Sequence, residues 1–201
     1  MSDQLEFDRR FVEHLEDLVK TEDRGALAAL RRGVGKPPGA AAEMHPIVVP
    51  WLPKSVTLRD IEPYYLTAAL FAIHQETWHP GKGTRTPTNL GASFAILRDL
   101  REGESLEKRF AALLNSHRED LPEHLRHAIT LLKSRDVPVD WATLIRDIRG
   151  WDCEDRRVQL AWSRAFWGQQ PEKERTQSAE GATADSQAES SALSSSLNED
   201  E

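Results

Sequence analysis

Apolar residues recur along this chain at intervals of three and four, and nothing alternates with period two over a useful length. The spacing predicts a first helix over roughly Leu5–Lys20, with Phe7, Phe11, Leu15 and Leu18 on one side. A second runs from about Asp23 through GALAALRRG, and Gly33 and Gly35 stop it. KPPGAAAEMHPIVVPWLP then reads as a long proline-broken connection. IEPYYLTAALFAIHQ follows, with Pro63 expected near a helix start, where its missing N–H costs nothing. This helix is apolar almost all round, so it is expected at the buried centre of the N-terminal half.

Further helices follow in the second half. TNLGASFAILRDLREG carries Leu90, Phe94 and Leu97 at helical spacing and ends at Gly103. Ser105 is placed to cap LEKRFAALLNSH, whose stripe is Leu106, Phe110, Leu113, Leu114 and His117. PEHLRHAITLLKSRD aligns Leu125, Ala128, Ile129 and Leu132. Asp140 caps WATLIRDIRGW, with Trp141, Leu144, Ile145, Ile148 and Trp151 on one face, and DRRVQLAWSRAFW repeats the logic with Val158, Ala161, Trp162, Ala165 and Phe166. The pattern is that of an all-α helical bundle of about eight helices over 1–168, leaving room for two packed helical subdomains divided near 80–90.

Composition changes that picture at the C-terminus. Residues 169–201 are low-complexity Ser, Ala, Glu and Gln with almost no large apolar side chain, and are expected to be a disordered acidic tail. The tail carries eight acids against two bases, so it accounts for most of the chain's net charge of −7. The remaining 168 residues hold 25 acids and 24 bases and are close to neutral. One cysteine, Cys153, excludes an internal disulfide framework and fits a reducing compartment. With no apolar run near the roughly 18 residues of a membrane span and a charged start, MSDQLEFDRR, the expectation is a soluble, cytoplasmic protein.

Catalytic readings find little support. HPGKGTRTPTNLG, residues 79–91, resembles a phosphate loop, but Gly81-Lys82 is followed by Gly83, Glu76 stands where the first glycine belongs, and no strand precedes it. The histidines offer pairs, His124 with His127 near Asp120 and His74 with His79, without the convergent spacing of a metal site. Cys153 lies between Asp152 and Glu154, which disfavour a thiolate, and no G-x-S-x-G occurs. No catalytic residue, cofactor or metal is expected. Of six tryptophans, Trp51 and Trp78 in connecting segments are the candidates for surface platforms.

The basic residues carry more information. With each stripe turned inward, Arg98, Arg101, Lys108, Arg109, Arg146, Arg149, Arg157 and Arg164 are placed outside, and Glu104 with Lys108 and Asp147 with Arg146 read as surface pairs. Arg31, Arg32, Lys36, Lys82, Arg85, Arg126 and Lys133 read as lacking an opposite charge at helical pairing distance. A phosphate backbone suits such a surplus, and with no base-reading element the contacts should be sequence-independent and salt-sensitive. A free-standing helical DNA-binding regulator and a small metal-dependent hydrolase are the competing readings.

In order, ALAALRRG, NLGASFAILRDL, SLEKRFAALLN, LPEHLRHAITLLK, VPVDWATLIRDIRGWD and RVQLAWSRAFW resemble the CasB family, the small subunit of the type I-E CRISPR surveillance complex Cascade. The resemblance covers about residues 5–168. It implies a non-enzymatic subunit, two copies lying head to tail in an RNA-guided complex, lining a basic path for the displaced non-target strand and buttressing the crRNA–target duplex. The partners so implied are the large subunit, the backbone subunits, the crRNA-processing subunit, a second copy of the chain, crRNA and target DNA, with no membrane. Arg31 and Arg32, Arg109 and Arg126 match the family's basic positions, with Arg59, Arg85, Lys133 and Arg146 as weaker matches; the acidic tail lies outside the family pattern.

Overall fold

The computed structural model describes residues 2–52, 57–79, 89–100 and 104–168. Among these residues lie nine α-helices and no strand: α1 (Ser2–Lys20), α2 (Arg24–Arg31), α3 (His45–Val48), α4 (Leu58–Ile73), α5 (Leu90–Leu100), α6 (Glu104–Leu114), α7 (Leu121–Lys133), α8 (Trp141–Arg149) and α9 (Arg157–Trp167). The described residues up to Phe166 cluster as one compact unit. The acidic tail, Lys82 and Arg85 lie outside the described residues.

Local chemistry starts α2 and α8 where the sequence predicts. Asp140 accepts hydrogen bonds from the Thr143 amide and the Thr143 hydroxyl, both at 2.9 Å, satisfying the first turn of α8. Asp23 does the same for α2 through the Ala26 amide at 2.9 Å, and such caps contribute about 1 kcal/mol each. Helix α4 is the hub: it packs against α2, α3, α7 and α8, and Tyr64, Ala68, Phe71 and Ala72 on it have no solvent exposure. That follows from its nearly all-round apolar composition.

A second cluster gathers α5, α6 and α9. The Phe94 and Phe110 rings lie 4.9 Å apart and Phe110 and Phe166 4.5 Å apart, pairs worth about 0.5–1.5 kcal/mol each beyond their burial. Gly91 lets α5 approach α9, since a Cβ there would sit 2.1 Å from the Trp162 carbonyl oxygen.

The boundaries differ from the sequence reading in four places. Helix α4 begins at Leu58, so Pro63 is its sixth residue and leaves the Arg59 carbonyl without the usual i+4 donor. Helix α6 begins at Glu104, which puts Ser105 inside it rather than at its cap. The helix also ends at Leu114, so His117 leaves the stripe and is exposed. The proline-broken connection holds α3 and two 3-10 turns, Ala42–Met44 and Val49–Trp51, because Pro46 and Pro50 fall in first-turn positions that need no N–H.

One non-helical contact fixes the middle of the chain. Thr77 and Val139 form an isolated parallel bridge, with the Val139 amide donating to Glu76 O at 3.1 Å and the Trp78 amide donating to Val139 O at 3.0 Å. Beside it, His74 Nε2 meets Val137 O at 2.7 Å and the Ser93 hydroxyl donates to Pro138 O at 2.8 Å.

Candidate nucleic-acid interface

The arginines divide by what their guanidinium groups touch. Arg98 turns inward, donating to Phe166 O at 2.5 Å and lying 5.2 Å from the Phe166 ring centroid. Arg118 bonds Ile148 O and Glu62, both at 2.7 Å, and Arg156 bonds Leu114 O at 2.6 Å. Arg149 reaches the fully buried Asp8, with Nη2–Oδ1 at 3.2 Å and Nη1–Oδ2 at 3.4 Å. Arg98 and Arg149 are therefore interior ties and not the outward positions that stripe geometry predicts. Arginine is long enough to leave its own helix face and satisfy a distant carbonyl or carboxylate.

Asp8 is the centre of one such tie. The Tyr64 hydroxyl donates to its Oδ1 at 2.6 Å and Gln4 Nε2 donates at 3.2 Å, so α1, α4 and α8 meet on one carboxylate. Burial, together with the Asp8 carboxylate, pushes the Tyr64 phenol well above its ordinary range. A similar knot holds Asp147, which is buried, accepts from Trp162 Nε1 at 2.7 Å and from Arg146 Nη2 at 3.0 Å, and has its carboxyl pushed up by burial.

The sequence-predicted binding residues fall into three situations. Arg32, Lys36, Arg59, Arg109 and Lys133 are exposed and form no ion pair with a described residue. Arg32 caps α2, Arg59 lies in the first turn of α4, Arg109 is on α6 and Lys133 ends α7. Arg31 is also at the surface, but its Nε donates to Ala72 O at 2.8 Å, fixing the guanidinium beside a cavity of about 390 Å³ shared with Arg24 and Gln75. Arg126 and Arg146 are paired.

Arg126 corrects the expectation that it lacks an acid. Glu123, three residues earlier, receives its Nε at 3.0 Å and its Nη2, and His127 joins the cluster 3.2 Å from the same carboxylate. The hydrogen bond from Arg126 holds the Glu123 carboxyl below its ordinary range and raises Arg126. Arg146 keeps half its side chain exposed while bound to Asp147, so it presents a guanidinium held from behind.

The structure brings Arg31, Arg32 and Lys36 together at the C-terminal end of α2, and Arg109 together with the α7 histidines around a cavity of about 370 Å³. Trp51, one expected platform, has a face covered by His14, stacked at 4.8 Å. Among the described residues no group of three or more His, Cys, Asp or Glu side chains could hold a metal ion. Sequence reasoning missed Asp8, Arg118, Arg156 and the cavity. Asp8 did leave a signal: it precedes Phe11 and Leu15 by three and seven residues, an acid on an apolar stripe.

Comparison with known proteins agrees with this architecture. The chain is 33% identical over 144 residues to the CRISPR-associated protein Cse2 of Thermus thermophilus, covering 71% of this chain and 79% of that protein. The crystal structure of a Cse2-family protein from the same organism superposes with a TM-score of 0.68 at 31% identity, covering 80% of this chain and 97% of that one. A chain of a CRISPR RNA-guided surveillance complex gives a TM-score of 0.69 at 27% identity, covering 90% and 99%. The family described as CRISPR-associated protein Cse2 matches residues 26–167, so the fold, the ordered helices and these likenesses converge: the chain belongs to the Cse2 family, the CasB family of the sequence comparison.

Proposed function

We propose that the chain is the non-catalytic small subunit of a type I-E Cascade ribonucleoprotein, present in two copies, and that it holds nucleic-acid backbone to stabilise the R-loop and the displaced non-target strand. One observation carries this reading: the likeness to a chain of an RNA-guided surveillance complex runs over 90% of this chain and 99% of that one. The surface chemistry supports it. Arg32, Lys36, Arg59, Arg109 and Lys133 are cations with no described ion pair, and Arg31 and Arg146 present guanidiniums already anchored to the fold. Preorganised arginines bind phosphate with little further ordering. Lys82, Arg85 and Arg126 complete the proposed set.

Sequence specificity belongs to the guide, and this subunit contributes electrostatics toward crRNA and target DNA. Its protein partners are the large, backbone and crRNA-processing subunits and its second copy, and it acts in the cytoplasm. No helix among the described residues is long and apolar enough to cross a membrane. The test is a complex assembled with Arg32→Glu, Arg59→Glu, Arg109→Glu and Lys133→Glu combined. Retention of target DNA should fall by about tenfold or more near physiological salt, with a shallower salt dependence. Unchanged retention by an intact complex overturns the reading.

A further inference from the structure

The cavity between α6 and α7 combines two linings that a plain surface does not need together. Its floor is apolar: Phe94 is 1% exposed and Leu113 2%, and Leu131 lies beside them. Its rim carries planar, cationic or imidazole groups, namely Arg109, His124 and His127. Arg109 has no ion pair with a described residue, and Arg126 Nη2 stands 2.9 Å from His127 Nε2. The volume, about 370 Å³, is at the small end of ligand clefts, which run roughly 300–1,000 Å³.

A bare phosphate gains nothing from the apolar floor, and an apolar peptide gains nothing from the guanidiniums. A nucleotide uses both. We propose that this groove takes one unstacked base of a single strand, its ring against Arg109 and the α7 imidazoles and its flanking phosphates on Arg109 and Arg126. The proposal rests on the nucleic-acid reading above and deepens it from backbone contact to base capture. A base paired within a duplex cannot enter, so the groove favours single strands over duplexes without reading sequence, since every base has a stacking face. Glu123 opposes the binding in part, while it pairs with Arg126 and with His127 of the rim.

The experiment compares binding of the full-length chain to a fluorescein-labelled oligo-dT and to an abasic strand of equal length and charge. Wild type should bind the dT strand about 5- to 10-fold more tightly, the scale of one stacked base. Ala112→Trp fills the mouth of the groove from an exposed position. It should lower dT affinity to the abasic level while leaving abasic binding and the melting midpoint unchanged; His127→Ala should lower dT affinity by about threefold relative to the abasic strand. Arg109→Ala should weaken both strands.

Equal wild-type affinity for the two strands overturns base capture and leaves backbone binding standing. Failure to bind either strand removes both. A glutamate peptide that displaces dT as well as a strand of equal charge would assign the groove to an acidic protein segment and overturn the proposal.

Discussion

The Asp8 site and the Glu123 site are built from the same pair of functional groups, an arginine and a carboxylate. At the first, Asp8 is fully buried and Arg149 largely so, with Tyr64 and Gln4 completing the hydrogen bonds and three helices converging. At the second, Glu123 and Arg126 are neighbours on one helix with much of both side chains in water. Burial decides what each pair does. In the interior the carboxylate has no solvent to fall back on, so its partners define how α1, α4 and α8 meet. On the surface water competes with the pair at every moment, and the arginine is free to exchange its carboxylate for a phosphate.

Breaking the buried site should therefore give the largest effect. Asp8→Ala leaves Arg149 facing a low-dielectric junction and should destabilise the fold by about 3–5 kcal/mol, read as a lowered urea midpoint. A loss under about 1 kcal/mol would put Asp8 in the same class as Glu123.

A smaller effect comes from His14, stacked on Trp51 and with its pKa lowered by burial from the ordinary 6.5. The folded state binds that proton less readily than the unfolded chain, so its contribution is present above about pH 6.5 and is lost as the pH falls below it. His14→Phe keeps the stack and should flatten the drop in melting midpoint between about pH 7.5 and 5.5; an unaltered drop would assign it elsewhere. The smallest effect on the fold belongs to the surface pair. Glu123→Gln should leave the melting midpoint where it is while tightening oligonucleotide binding about threefold at low salt. A clear loss of stability would show that the exposed pair is structural after all.

The helices were legible because their cause is local. Asp140 and Asp23 cap where a side chain three residues from an amide can reach it, and the stripe Trp141–Leu144–Ile145–Ile148 needs only helical periodicity. The destinations of the arginines were not, because these are tertiary facts: Arg98 ends on a carbonyl 68 residues away and Arg149 on a carboxylate 141 residues away. Arg126 is different. Its partner lies three residues off, within reach of sequence reasoning that looked for acids and passed over Glu123. The groove between α6 and α7 was invisible because its floor, Phe94, comes from α5, a third helix.

Both flanks of residues 80–88 are stapled to one short stretch of chain. Glu76 and Trp78 on one side and Ser93 on the other bond to residues 138–139, directly ahead of the Asp140 cap. The residues that leave α4 and those that begin α5 are thus moored to the same strip of chain that leads into α8, so a shift of residues 138–139 would move all three helix ends together.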